Sequence, residues 1–482
     1  MRGTVLAAPT GRRTAPENPP TAPIPITGPP AAAPAAGGRA PYLLALALFA
    51  AYTTLSVLRH RRMGSRSWDL GIFEQAVRGY AHLQAPVADL KGPGTNILGD
   101  HFSPVTALLA PAYRLFPTPV TLLVAQAALF ALAAIPVTRA ATRLLGRSSG
   151  VAVGVAYGLS WGIQRAADFD FHEICFAVPL IAFSLEAVLR ARWRAALLWA
   201  APLVLVKEDL GLTLAALALV VAWRARRTSR RAAVYATGVA LLGAAATALT
   251  LLAVIPAFNT TGGYDYWSKV GEGPGPLAGA ETKLRTLGWL LLPAGLLALR
   301  SPLMLAAAPT LGWRFLSGDP HYWSTDWHYS AVLMPVVFLA LADAADSTRR
   351  SPRPWLRTCA DRLPACAAAA AVALTTSLPL SALTEARTYR TPPGAVAAER
   401  LLARIPDGAT VEANVGPISR LTGRCRVLWI GDARNPAPDY IALNNRSGWV
   451  RDPRGYAKQL HPGVRYDLTG TAAGYIVLER RT

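Results

Sequence analysis

The sequence predicts an all-α polytopic membrane protein of about 11 transmembrane helices, with a small α/β domain at its C-terminal end. Three observations predict it. Of the 482 residues 52% are apolar and only 16% charged, against about 25% charged in an ordinary soluble protein. Between residues 41 and 383 one apolar run follows another, broken by short polar segments; a bilayer core takes about 20 helical residues. After residue 383 the pattern changes to short strand-like runs separated by Gly, Pro and Asp. Soluble enzyme classes are excluded.

Residues 1–40 are rich in Pro and Ala and read as a disordered cytoplasmic tail. The first apolar run begins only at Pro41, later than in a usual signal peptide. The expected spans are 41–58, 119–138, 149–163, 174–189, 195–206, 210–223, 232–257, 286–299, 302–316, 330–342 and 363–383. The runs 195–206 and 210–223 are short and need tilt or flanking residues to cross. The stretch 104–116 is amphipathic and reads as interfacial.

With the first residue in the cytoplasm, the arginine clusters fall on one side: Arg139 to Arg147, Arg190 to Arg194, Arg224 to Arg231, Arg300 and Arg349 to Arg362. The opposite, extracytoplasmic side receives the long first loop 59–118, then 164–173, 207–209, 258–285, 317–329 and the domain 384–482. Arg59-His60-Arg61-Arg62 opens the first outer loop against this rule. Such clusters also explain the net charge of +21 without a nucleic-acid partner. The four cysteines have no metal-site or disulfide spacing. In the C-terminal domain, 395–405 reads as a helix and 410–413, 427–430, 440–443 and 475–478 read as strands.

The outer segments hold the residues that carry chemistry. In Trp68-Asp69-Leu70-Gly71-Ile72-Phe73-Glu74-Gln75, a helix with an apolar face would lie along the membrane surface. Asp69 at its start is either an N-cap or a general base at the mouth of the bundle. In Gly99-Asp100-His101-Phe102-Ser103-Pro104, Asp100 and His101 again cap a helix, or form a proton-accepting or phosphate-binding pair. Asp168-Phe169-Asp170-Phe171-His172-Glu173, if extended, sets Asp168, Asp170 and His172 on one face. With Glu173 they would suit a divalent cation or a proton relay, and the alternative is a solvated loop. Lys207-Glu208-Asp209 places three ionisable groups between apolar runs, as internal glue or as a phosphate and substrate contact. The aromatic loop 319–329 contains His321, Trp327, His328 and Tyr329, a set that suits sugar binding. Its Trp and Tyr also fit an interfacial belt. The loop 258–285 is Gly-rich and aromatic, like a flap. The sequence has no GxxxxGK[ST] or HExxH motif, so no nucleotide-driven motor or zincin is indicated.

Taken in order, Asp69-Leu-Gly-Ile-Phe-Glu-Gln, Gly99-Asp-His-Phe-Ser-Pro, Asp170-Phe-His-Glu and Lys207-Glu-Asp resemble the bacterial membrane family called "domain of unknown function 2079". That architecture in turn resembles the GT-C superfamily of membrane glycosyltransferases. The resemblance implies a polyprenyl-phosphate sugar as donor, an envelope acceptor, and transfer on the outer face of the cytoplasmic membrane. It maps the first-loop catalytic carboxylate onto Asp69. Many GT-C members carry a second acid beside the first; here Trp68 and Leu70 flank Asp69, and Glu74 stands five residues on as a substrate contact. No soluble cofactor is implied, and a divalent metal ion is possible chemistry for the leaving phosphate. The competing expectation is a transporter, flippase or binder of a lipid-linked or anionic solute, with Asp168, Asp170, His172, Lys207, Glu208 and Asp209 forming a proton- or ion-coupled path.

Overall fold

The computed structural model describes residues 38–271, 275 and 277–481, together with Met1, Gly3, Thr4 and Ala7. The expected disordered tail lies almost wholly outside the described residues, as does part of the 258–285 loop. Residues 39–481 pack as one unit, a helical bundle with a five-stranded sheet.

Among the described residues, four helices are long and apolar enough to cross a bilayer: Ala40–Arg61, Pro119–Leu145, Arg230–Phe258 and His328–Thr348. Their ends follow local chemistry. Thr118 accepts the Val120 N–H ahead of Pro119, and Ser229 accepts the Ala232 N–H. The last helix is the centre of the bundle, with 83% of its apolar window buried, while Arg230–Phe258 lies at the edge with 28%. The edge helix is held against Leu210–Ala225 by facing glycines. A Cβ on Gly211 would stand 2.5 Å from the Gly243 carbonyl, so the two backbones touch directly.

Several expected spans are broken instead of continuous, and Pro or Gly stands at each break. Residues 149–163 divide into Arg147–Gly158 and Trp161–Asp168. Pro202 turns the end of 195–206 into the 3-10 segment Ala201–Leu205. Pro293 and Gly295 interrupt 286–299 after Ala280–Leu291. Pro302–Ala307 is a 3-10 entry to Ala308–Leu316. A run of apolar residues marks depth in the membrane but does not specify one straight helix.

The sheet of the C-terminal domain has five strands, β1 (Thr410–Ala413), β2 (Arg426–Trp429), β3 (Tyr440–Asn444), β4 (Tyr466–Ala472) and β5 (Tyr475–Arg480). Their order is β2-β1-β3-β5-β4, with the first three parallel and the last two antiparallel. The strand β4 and the helix Pro453–Leu460 were not expected, because Thr469-Gly470-Thr471 gives no apolar alternation. The expected helix 395–405 is Pro393–Leu402.

The helix Trp68–Ala81 is not the membrane-surface helix that its single apolar stripe suggested. Both sides are covered. Leu70, Phe73 and Val77 enter the bundle core, while Ile72 and Ala76 enter the core of the sheet domain. Gln75 donates to the Val427 carbonyl at 2.8 Å, and Arg78 donates to the carbonyls of Thr422 and Cys425. Trp68 meets Trp429 edge-on at 4.6 Å. Domain and bundle therefore share this helix as a common layer.

Candidate functional site

The helix Trp68–Ala81 sets the position of Asp69. Ser67, with φ +63°, precedes it, and no side chain caps its first turn. Capping is thus not what Asp69 does here. Its carboxylate instead joins the imidazoles of His172 and His328, one ligand atom from each lying within 4.8 Å of the others. These three residues come from three segments far apart in the chain. The rings of His172 and His328 stack at 3.6 Å and 24°, and the edge of Phe73 covers His172 at 5.3 Å.

A second layer of charge stands behind them. His172 Nδ1 faces the Glu173 carboxylate. Lys207 Nζ lies 3.9 Å from Glu173 and 2.7 Å from Glu208. Glu208 also approaches His101 Nδ1 at 3.7 Å, and the Tyr264 hydroxyl donates to it at 3.2 Å. Asp100 lies 3.1 Å from Lys91 and 3.7 Å from His101. The cluster is chiefly buried, with Glu173 fully so. Several of its polar atoms make no hydrogen bond within the protein: both His328 nitrogens, Glu208 Oε2 and Asp209 Oδ1. Buried polar atoms without partners are costly, and a concentration of them marks a place kept for water, an ion or a ligand.

Electrostatics follow from burial and neighbours. Loss of water raises the Asp69 carboxyl to about 7; His101 and Lys91 pull it down, while Glu173 and Asp170 push it up. Burial alone would strip the proton from His101, and Lys207 adds to that effect. Asp100 and Glu208 outweigh both, and its proton affinity ends above the ordinary value. For Glu208, burial favours the acid, but Lys207 and His101 prevail and hold it ionised. The result is a desolvated carboxylate able to exchange a proton near neutrality, beside a fixed set of charges.

The other expected site residues divide clearly. Asp168, Asp170 and His172 do not share a face. Asp168 ends the helix Trp161–Asp168 and pairs with Arg59, which also gives the arginine that broke the outer-loop rule a partner. Asp170 has φ +74°, which breaks the extended alternation, and its carboxylate accepts the Ser67 N–H at 2.9 Å. It anchors the turn ahead of Asp69. Glu173 stands behind His172 and is not one of the three clustered ligands. Glu74 is not at a substrate surface. It is fully buried between Tyr113 and Thr422, both of which donate to it. His321 is exposed and pairs with Asp319 at 2.8 Å. Trp327 packs on Phe169 at 5.1 Å under Arg66. Tyr329 packs beside Tyr322 and His328. Asp100 and His101 do not cap the next turn either, since Ser103 precedes it.

Sequence reasoning passed over Lys91, Lys269, Tyr264 and Tyr266. Lys269 pairs with Asp319 at 3.1 Å, and the Tyr266 hydroxyl lies 3.2 Å from His101 Nε2. A signal was available. Of the 49 basic residues only five are lysines, and Lys91, Lys207 and Lys269 stand in or beside this cluster. Arginine is the default cation of the chain, so each lysine is a choice of a compact point charge.

Two of the cavities among the described residues bear on the site. One, of about 340 Å³, is polar and reaches Asp100. The other, of about 600 Å³, is an apolar groove between Gly288, Trp289, Leu292 and Leu374, with Arg285 among its walls. Its helix, Ala280–Leu291, is tied to the aromatic loop: Thr286 donates to the Trp323 carbonyl at 2.5 Å, and Lys283 lies 4.4 Å over the Trp323 ring.

Residues 59–465 match the family described as "Predicted membrane protein (DUF2079)". That match covers most of the chain, and the chain belongs to this family. No curated protein matches it by sequence. Among solved structures it is similar to ArnT from Cupriavidus metallidurans bound to undecaprenyl phosphate, with a TM-score of 0.56 and 12% identity over 92% of this chain and 98% of that one. The same protein in the apo state gives a TM-score of 0.51 and 11% identity over 91% and 97%. The fold is therefore ArnT-like across nearly the whole chain.

Proposed function

We propose that this member of the family transfers a sugar from a polyprenyl-phosphate donor to an envelope acceptor on the outer face of the cytoplasmic membrane. The observation that carries the reading is the convergence of Asp69, His172 and His328 beneath the first-loop helix, in an ArnT-like fold. The solved relative binds undecaprenyl phosphate, and the apolar groove beside Trp289 offers such a chain a lateral berth.

In this mechanism the acceptor hydroxyl oxygen attacks the anomeric carbon, and the bond from that carbon to the lipid phosphate oxygen breaks. Asp69 takes the hydroxyl proton, and the lipid phosphate leaves as its anion. A carboxyl held near 7 by burial is matched to that task at neutral pH. Lys207, kept charged between Glu173 and Glu208, supplies a cation to the site. The charged groups collect at one end of the bundle, which disfavours an ion path leading to both sides.

A second use of Asp69 is favoured by the unpartnered nitrogens of His328. With His172 and His328 it forms a carboxylate–imidazole set suited to a divalent cation, and Glu173 behind His172 orients the ring as second-sphere carboxylates do. Such an ion would neutralise charge on the leaving phosphate.

The test is transfer of label from radiolabelled undecaprenyl-phosphate sugars to an envelope extract by purified protein, beside Asp69→Asn, with and without a chelator. Transfer by wild type alone is expected. Chelator-sensitive transfer assigns Asp69 to the metal set, and chelator-insensitive transfer assigns it as base. Transfer that survives Asp69→Asn unchanged would sink both.

A further inference from the structure

The polar cavity of about 340 Å³ has no role in the proton transfer described above, yet it falls within the usual range of small-molecule sites, about 300–1,000 Å³. It is walled by Lys91 and Asp100 of the first outer loop, Asp265 and Lys269 of the loop after residue 258, and Arg434 of the sheet domain. The walls are built, not incidental. Gly99 lets the second loop approach: a Cβ there would stand 2.5 Å from the Phe258 carbonyl carbon, and Asn259 donates to the Gly99 carbonyl at 3.0 Å. Arg434 donates to the Lys91 carbonyl at 3.1 Å and closes the side contributed by the sheet domain. Thr260 and Thr261 at the rim are exposed, so the cavity opens to solvent.

The charge pattern identifies the ligand class. Each cation already holds its own carboxylate: Lys91 with Asp100 at 3.1 Å, Lys269 with Asp319 at 3.1 Å and Arg434 with Asp432 at 2.6 Å. Asp265 adds a further carboxylate beside Asn259 and Thr261. No surplus positive charge remains among these groups to hold a phosphate. The lining offers donors (Lys91, Lys269, Arg434) together with acceptors (Asp100, Asp265) and the amide and hydroxyls of Asn259, Thr261 and Tyr266, as a ligand rich in hydroxyls requires. Tyr266 links it to the chemistry, with its hydroxyl 3.2 Å from His101 Nε2. We propose that this cavity binds an uncharged, hydroxyl-rich saccharide unit, with the sheet domain supplying one wall. The inference rests on the transferase reading for its purpose, but not for its test.

Full-length protein in lipid nanodiscs would be dialysed against radiolabelled methyl glycosides of glucose, galactose, mannose, arabinose, rhamnose and N-acetylglucosamine, with inorganic phosphate as competitor. Saturable binding of at least one glycoside is expected, undisturbed by phosphate. Asp265→Ala and Thr261→Trp should each weaken it about ten-fold or more, with unchanged thermal unfolding, while Asp69→Asn leaves it intact. Absence of binding across all six glycosides would overturn the proposal. So would binding indifferent to both cavity variants, or displacement by phosphate. Preloading with an undecaprenyl-phosphate sugar separates two sources that both sustain the site: displacement of the glycoside identifies the donor sugar, and retention identifies the acceptor. Glycoside binding without transfer would remove the transferase reading alone, and transfer without glycoside binding would remove this inference alone.

Discussion

The two ends of the helical bundle use charge in opposite ways. At one end arginines meet carboxylates in closed pairs: Arg139 donates to Glu186 at 3.1 Å and 2.5 Å, and Asp343 accepts from Arg224 and from Ser301. Arg143 and Arg349 donate to the Leu189 and Leu145 carbonyls, which lie at helix ends. At the other end lysines, histidines and carboxylates share partners, and many atoms keep none. The first arrangement joins helices. The second leaves several buried polar atoms without a hydrogen-bond partner, an arrangement that joins no elements and costs stability by itself.

This contrast can be broken most severely at Asp69. Replacing it with Asn is expected to lower transfer by about 10²–10⁴-fold, with thermal stability equal to or above wild type, because a desolvated carboxylate is removed. A large fall in stability would instead make Asp69 a fold residue.

Glu74 gives the next largest effect, on stability. Burial raises its carboxyl to about 7, although Thr422 and Tyr113 donate to it. The folded state therefore prefers the protonated form. Below the ordinary range, near 4.5, the group contributes nothing; as pH rises from there to about 7 it costs stability, on the order of 3 kcal/mol once complete. Glu74→Gln should flatten this pH dependence and raise the unfolding midpoint above pH 7, as measured by thermal melts across pH. An unaltered pH profile would contradict the assignment.

At the paired end, Asp343→Ala leaves Arg224 and Ser301 without their shared acceptor. A loss of about 2 kcal/mol is expected, visible in thermal melts, with transfer per folded molecule unchanged. Altered specific activity there would mean that the two ends are coupled. Least of all, His321→Ala should change stability and transfer within error. The pair it makes with Asp319 is exposed, and such pairs contribute about 0–1 kcal/mol.

The sequence was most informative where chemistry is dense and local. Hydropathy indicated the helical bundle, and the polar segments between apolar runs were the right places to look, since Asp69, His101, His172, Lys207 and His328 come together in the structure. It was least informative where partners come from far along the chain. No pattern near Asp69 announces His328, and period-two alternation could not foresee the positive φ of Asp170 that turns its carboxylate toward Ser67. Glu74 read as a substrate contact because nothing local indicates Thr422. Ile72 and Ala76 suggested a lipid contact, since a sheet domain and a bilayer interior ask for the same apolar side chains.

The bond from Gln75 to Val427 spans 352 residues. At a synthesis rate of about 5–20 residues per second, the helix bearing Asp69 waits roughly 18 to 70 s for the strand that covers it. Throughout that interval its sheet-facing residues have no partner, and a truncated product would never find one. Completion of the last strands is thus also the moment at which the helix bearing Asp69 first has both of its apolar sides covered.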